Sequence, residues 1–275
     1  MVKVFLGIST MGSHLPRAYD VVQSAPNFDG YYICHQLPKL STPVTIDDCF
    51  SSKIRLIEMD TKGLSKSRNS ILEQVPSPSI LVPTDDDVLF LPNAKDVILD
   101  AFAKYPNADI ITFRANKFDG TLFKNNYKNR PFWHNKLSIR SVSSIEIVVR
   151  SDSLKKLDIT WDEKFGLGAQ YGGGLEFTLL IDSLKRGLKI LYYPESIVSH
   201  PEISSGHTFD GKKAYIRGAV AYRMYGFFGI FLSLYTTIRH RHRIRRHTTL
   251  NKYIGSFLKG FLDYRSEHKL THLQK

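Results

Sequence analysis

Three consecutive aspartates, Asp85-Asp86-Asp87, stand between the apolar run Ser79-Ile80-Leu81-Val82-Pro83-Thr84 and the shorter run Val88-Leu89-Phe90. That pattern predicts a short buried strand that delivers adjacent carboxylates to its C-terminal end. Like charges so close oppose one another, so something cationic is expected there. Oxygen-only donors suit a hard divalent ion such as Mg²⁺ or Mn²⁺, which usually bridges to substrate phosphates. A solvated turn is the competing reading, because Asp is common in turns and helix caps.

Around this strand, short apolar runs alternate with helical patterns, the signature of an α/β sheet with helices on its faces. Strands are expected at Val2 to Ile8, Tyr31 to His35, Ile54 to Met59, Ile80 to Pro83 and Ile110 to Phe113. Further strands are expected at Ser144 to Val149, Lys189 to Tyr193 and Ile197 to Ser199. Helices are expected at Pro16 to Gln23, Ser65 to Gln74, Ala94 to Lys104 and about Gly174 to Lys185, bounded by Gly, Pro, Asn or Ser. Residues 116–136 break the pattern and read as an excursion or hairpin over one face. In an open α/β sheet, ligands bind beyond the carboxyl ends of the strands, which places Ser9, Thr10, Gln36 and Asp85 to Asp87 on the same edge.

The 275 residues, 42% hydrophobic and 23% charged, have an ordinary globular composition. The two cysteines, Cys34 and Cys49, have neither metal-ligand spacing nor disulfide density, which favours a reducing compartment. The apolar run after Met1 is too short and too early for a signal peptide, so a cytoplasmic location is expected. Charge is unevenly spread. Residues 203–275 carry fourteen Lys and Arg against Asp210, Asp263 and Glu267, so nearly all of the formal +12 lies there.

Two further segments carry chemistry. Lys62, Lys66 and Arg68 crowd the start of a helix with Ser65 as its expected N-cap, where the macrodipole already disfavours cations. An anion docked on the free N–H groups and the arginine fork would reconcile this, a diphosphate foremost. The alternative is a solvated basic face. Gly172-Gly173-Gly174 then precedes Leu175-Glu176, which places Glu176 in a first helical turn. There it either complements the helix dipole or removes a proton from an acceptor hydroxyl.

In order, Gly63-Leu64-Ser65 with Arg68-Asn69, Asp85-Asp86-Asp87, Phe165-Gly166-Leu167-Gly168-Ala169, Gly174-Leu175-Glu176 and Gly187-Leu188-Lys189-Ile190 before Pro194 resemble the family 2 glycosyltransferases of the GT-A fold. The resemblance spans most of residues 2–225 and is greatest to bacterial members that build capsule, O-antigen or exopolysaccharide. It implies a Rossmann-like, mostly parallel sheet flanked by helices. It also implies an inverting, metal-dependent enzyme of hexosyltransferase type that uses Mn²⁺ or Mg²⁺. The implied donor is a nucleotide-sugar, a UDP-sugar foremost, and the acceptor a hydroxyl of a lipid-linked or growing cell-surface glycan.

By the same resemblance, Asp85 and Asp86 contact the nucleotide ribose, Asp87 the metal, and Arg68 the diphosphate. Glu176 takes the general-base position. His200 matches a position that helps ligate metal in some relatives, with a core or surface histidine as the alternative. Ser9, Thr10, Gln36 and Lys62 complete the expected nucleotide-sugar site. The chain departs from the family in carrying Leu175 where an acid is usual and His35-Gln36-Leu37-Pro38 where an Asn-Gly-Ser-x-Asp loop is common. It also lacks the Gln-x-x-Arg-Trp motif of processive relatives, which favours transfer of a single residue.

The expected organisation is a transferase domain over 1–205, with a nucleotide-sugar half to about 115 and an acceptor half from about 116, followed by a basic amphipathic helical tail over 206–275. The apolar residues 224–235 are fewer than a spanning helix needs. Five arginines follow between Arg239 and Arg246. Leu250, Tyr253, Ile254, Phe257, Leu258, Phe261 and Leu262 then recur at helical spacing. Such a tail suits peripheral association with the anionic inner face of the cell membrane. Packing on the body or homodimerisation is the alternative. A sugar-nucleotide nucleotidyltransferase would want a Gly-rich phosphate loop after the first strand, which Ser9 to His14 does not provide. A non-enzymatic nucleic-acid-binding protein acting through the arginine-rich tail is the other alternative, but no base-reading module accompanies the arginines, so no nucleic-acid partner is expected.

Overall fold

The structure, a computed structural model, describes residues 2–37, 52–201 and 209–273. Cys49, Pro38 and the domain boundary expected at 205/206 lie outside the described residues. The chain divides into two compact units, one formed by Met1–Glu163 and Leu175–Glu202, the other by Lys164–Gly174 and Ile203–Lys275.

The first unit is built on a mixed nine-stranded sheet flanked by helices. Its strands are β1 (Val4–Met11), β2 (Gly30–Gln36), β3 (Ile54–Met59), β4 (Ile80–Asp85), β5 (Leu89–Phe90), β6 (Ile110–Lys117), β7 (Phe132–Trp133), β8 (Ile147–Arg150) and β9 (Ile190–His200). The order is β3-β2-β1-β4-β8-β6-β9-β5, with β7 paired to β9. The run β3-β2-β1-β4 is parallel throughout. With β6–β9 also parallel and every antiparallel pairing short, the expectation of a mostly parallel sheet holds, most fully in that run. Beyond it, β8 is antiparallel to both β4 and β6, and only β6–β9 restores a parallel pair.

Helices α1 (Leu15–Ser24), α2 (Leu64–Gln74), α3 (Ala94–Lys104), α4 (Ser151–Lys156) and α5 (Leu175–Lys185) belong to this unit. In α1, Ala18, Tyr19, Val21 and Val22 recur at helical spacing and bury against Leu6, Ile8 and Ile33. On α2, Ile71 occupies the space over Gly7: a Cβ at Gly7 would stand 2.8 Å from Ile71 Cγ2 and 3.0 Å from Leu81 Cδ1. The bare backbone at Gly7 therefore lets α2 settle close to β1.

Three local expectations are corrected. The helix expected from Ser65 begins at Leu64, and its cap is Gly63, whose φ of +147° favours glycine. Ser65 is buried in the first turn. Residues 144–146 form a 3₁₀ turn before β8, because Ser143 and Glu146 close a capping box. The two strands expected at 189–193 and 197–199 are the single strand β9, which absorbs Pro194 where its register against β6 shifts between Thr112 and Ala115. The excursion over 116–136 carries the two-residue strand β7, paired to β9.

The second unit holds α6 (Gly211–Tyr225), α7 (Gly229–Arg239), α8 (Arg241–Arg245) and α9 (Leu250–Leu273). Here α6 and α9 approach backbone to backbone. A Cβ at Gly218 would fall 2.0 Å from Phe257 O, and one at Gly260 would fall 1.9 Å from Tyr215 O. Tyr253, Phe257 and Phe261 are buried there with Ala214, Ala221 and Ile244. The apolar stripe expected to meet a membrane is thus largely used in packing, with Leu258 and Leu262 left exposed. Residues 164–174, expected to belong to the body, cluster with these helices, where Phe165 stacks on Tyr171.

Candidate functional site

In the parallel half, the chain leaves β1 toward β2 on one side, while β4 lies on the other. This makes the carboxyl end of β1 a topological switch point, where open α/β sheets bind ligands. Ser9 pairs in register with Cys34 on β2 and Asp85 on β4, and Met11 pairs with Gln36. Ser9, Thr10, Gln36, Asp85 and Asp86 therefore share one edge.

Helix α2 is tied to this edge. Gly63 N donates to Gln36 Oε1 at 2.6 Å, and Ser67 Oγ donates to Ser9 Oγ at 2.8 Å. Arg68 is 1% exposed, and its Nη2 donates to Asp85 Oδ1 at 2.9 Å and to Ser144 Oγ. Its Nε and Nη1 are buried without a hydrogen-bond partner. The sequence suggested an open guanidinium fork at the helix start, whereas the side chain runs inward and spends charge on an internal acid. Lys62 stands exposed two residues before the helix.

Half-buried Glu176, in the first turn of α5, joins the same cluster. Burial pushes its carboxyl above the usual range. The Arg68 charge and a hydrogen bond with Ser144 act in the opposite direction, and Asp85 adds a smaller upward push. Asp85, Arg68, Ser144 and Glu176 thus form one electrostatic group drawn from β4, α2, the turn before β8 and α5.

The remaining aspartates face other partners. Thr10 Oγ1 donates to Asp86 Oδ2 at 2.5 Å, and His14 Nδ1 stands 3.8 Å from the same oxygen. Asp87 is exposed, with Oδ1 3.6 Å from His200 Nε2. Burial raises the pKa of the Asp86 carboxyl, partly offset by Thr10 and His14; at Asp87, exposed at its tip, partial desolvation by the surrounding chain acts in the same direction and His200 opposes it. Such carboxylates favour a bound proton or cation.

His200 Nδ1 lies 2.7 Å from the Pro201 carbonyl, which can only accept, so Nδ1 carries the proton. In the neutral ring Nε2 is then an acceptor facing another acceptor, Asp87 Oδ1. Among the described residues, no three His, Cys, Asp or Glu side chains are grouped to hold a metal unaided. One carboxylate and one imidazole could contribute to a Mn²⁺ site if phosphate oxygens supplied further positions, whereas Mg²⁺ would draw on the carboxylate alone.

Sequence reasoning missed Ser144, Ser67 and His14. Ser144 is distant in sequence from every motif, and only the capping box Ser143–Glu146 hinted at an ordered turn there. A separate cavity of 190 Å³ in the same unit is lined by Tyr127, Phe132, His134, Glu146 and Tyr192, among others. Tyr127 donates to Glu146 Oε1 at 2.5 Å, Lys124 Nζ lies 2.6 Å from that oxygen, and His134 lies between Thr112 and Ser138.

No protein-family model and no curated protein matches the chain. Its fold is similar to that of crystal structures of S. aureus TarS. With TarS 1-349 the TM-score is 0.58 at 12% identity, covering 81% of this chain and 65% of that one. For the complex of the same fragment with UDP-GlcNAc the score is 0.54 at 13% identity, covering 81% and 66%. For the longer TarS chain it is 0.56 at 14% identity, covering 80% and 39%. The chain thus spans less than two thirds of the length of each.

Proposed function

We propose that this chain is an inverting glycosyltransferase that moves one sugar from a nucleotide-sugar, a UDP-sugar foremost, to a hydroxyl of a lipid-linked or growing cell-surface glycan at the inner face of the membrane. The observation that carries the reading is the gathering of Glu176, Arg68 and Asp85 beside the switch point of a sheet. A fold shared with TarS, which is seen with UDP and with UDP-GlcNAc, supports the choice of donor.

In this reading Glu176 takes the proton of the acceptor hydroxyl as its oxygen attacks the anomeric carbon. The bond from that carbon to the diphosphate oxygen breaks, with inversion. The raised carboxyl suits the task, because a base works best with a pKa drawn toward the operating pH. Arg68 and Ser144 hold Glu176 in place, and Asp85 fixes Arg68. Ser9, Thr10, Gln36 and Asp86 border the nucleotide, with Lys62 reaching in from solvent. Asp87 and His200 would hold Mn²⁺, or Asp87 alone Mg²⁺, together with the diphosphate; such an ion stabilises charge on the departing group.

The test is a thermal-shift screen of UDP-, GDP-, CMP- and dTDP-sugars with Mn²⁺, followed by product analysis with the stabilising donor. Ligand at a hundred times its Kd stabilises by about 2.7 kcal/mol, which is readily seen. A Mn²⁺-dependent rise with one nucleotide class is expected. No shift with any of the four would sink the reading.

A further inference from the structure

We infer that the exposed face of α7 docks on an anionic lipid surface. Phe227, Phe228, Phe231, Leu234, Tyr235 and Ile238 are 47% to 79% exposed. Phe231, Leu234, Tyr235 and Ile238 share little more than about a quarter of the α7 circumference at roughly 3.6 residues per turn, and Phe227 and Phe228 belong to the 3₁₀ turn just before it. The opposite side is already in use. Ile230 packs on the core of the second unit, Ser233 is buried, and a Cβ at Gly229 would meet Ala221 O at 2.4 Å. The helix is therefore anchored by one face and offers a contiguous apolar patch on the other. Monomers rarely expose such patches without a partner.

The charge beside the patch selects that partner. Arg239, Arg241, Arg243, Arg245 and Arg246 follow directly and are exposed, and residues 211–262 contain no Asp or Glu. A two-fold dimer across this face would bring two arginine clusters together, which like-charge repulsion opposes. A nucleic acid would neutralise the arginines but has no use for six apolar side chains. An anionic leaflet accepts both, with the apolar residues entering the acyl boundary and the arginines meeting headgroups. Among the described residues no helix is long and apolar enough to cross a membrane, so α7 lies in the surface plane.

The inference deepens the proposed transfer by naming the surface at which a lipid-linked acceptor is met, and it rests on that reading for this meaning alone. The test is sedimentation of the full chain with phosphatidylcholine vesicles, with or without phosphatidylglycerol, in the absence of donor. Binding to the anionic vesicles that weakens with salt is expected. The variant Phe228→Ser/Phe231→Ser/Ile238→Ser should bind them at least ~10-fold more weakly, since each apolar group contributes separately to insertion. The variant Arg241→Gln/Arg243→Gln/Arg245→Gln should lose the preference for anionic lipid. Unchanged circular dichroism and Tm identify both as folded.

Four results would overturn the inference: the serine variant binding like the parent, no binding of the parent to either vesicle, conversion of a parental dimer to monomer by the serine substitutions, or an oligonucleotide that displaces vesicles. Vesicle binding without glycosyl transfer would leave it standing while the enzymatic reading fell.

Discussion

Arg68 Nη2 lies 2.9 Å from Asp85 Oδ1, with the arginine side chain almost fully buried and the aspartate 30% exposed. This pair joins α2 to the end of β4 and sets a positive charge beside Glu176. A cation that looked like a docking group at a helix start is part of the internal framework that keeps two acids together.

Replacing Arg68 with Met should therefore destabilise the fold, because Asp85 and Glu176 lose a shared countercharge in a partly buried place. Breaking a buried pair costs about 3–5 kcal/mol, and the exposure of Asp85 puts this case near ~3 kcal/mol. Urea unfolding measures it. Arg68→Lys should recover part of the loss by keeping the charge without the fork. A Met variant as stable as the parent would show that the pair is idle.

Glu176→Gln should leave nucleotide binding intact and lower transfer by roughly 10²–10⁴-fold, the usual effect of losing a general base. Because burial raises the Glu176 carboxyl, parental activity should decline on the acid side at a higher pH than for an ordinary glutamate. The Gln variant should lack that limb. Transfer kinetics across pH check both points, and undiminished turnover would remove Glu176 from the mechanism.

Asp87→Asn and His200→Ala should each weaken Mn²⁺-dependent UDP binding by about 10-fold or more, on the scale seen when a metal's surroundings are altered. Desolvation raises the Asp86 and Asp87 carboxyls, so a cation there competes with protons and affinity should fall as pH falls. Calorimetry in two buffers of different ionisation enthalpy reads the released protons. Equal Mn²⁺-dependent affinity in all three proteins would contradict the assignment.

Gly7→Ala should cost about 1–3 kcal/mol by overpacking, since the new methyl group would press on Ile71 at 2.8 Å. A lowered Tm with unchanged donor specificity is expected. An unaltered Tm would show that α2 can lift without penalty.

Burial lowers the His134 pKa to about 4. The unfolded chain then binds a proton near pH 6.5 that the folded chain refuses. The unfolded state holds more protons between those values, so this residue's contribution is complete above about pH 6.5 and is lost as pH falls toward 4, by roughly 3 kcal/mol at most. Raised carboxyls such as Asp86 act in the opposite direction, so the comparison is between parent and His134→Gln. The difference in unfolding free energy should shrink from pH 7 to pH 4, and a constant difference would refute the account.

Much of the sheet was legible because its strands are continuous apolar runs punctuated by turn residues. Ile54–Met59 and Ala94–Lys104 have the bounds that periodicity predicted. The extent of β9 was not legible, since Pro194 reads as a break until β6 lies beside it to take up the shift. Nor were the bounds of α6 within the expected helical tail, or its close approach to α9 at Gly218. The aspartates, Arg68 and Glu176 stood out in sequence, whereas Ser144 carried no signal.

The amino-acid order by itself determined which short segments become strands and helices, because hydrophobic period and backbone stereochemistry act over a few residues. It also determined that acids gather at the end of β4 and arginines after α7. Tertiary structure decided the partners: Arg68 turned inward to Asp85, Ser144 reached Arg68 from 76 residues away, and α9 buried one face while α7 kept one exposed. Such outcomes depend on desolvation and close packing between segments far apart in the chain, and no local pattern encodes them.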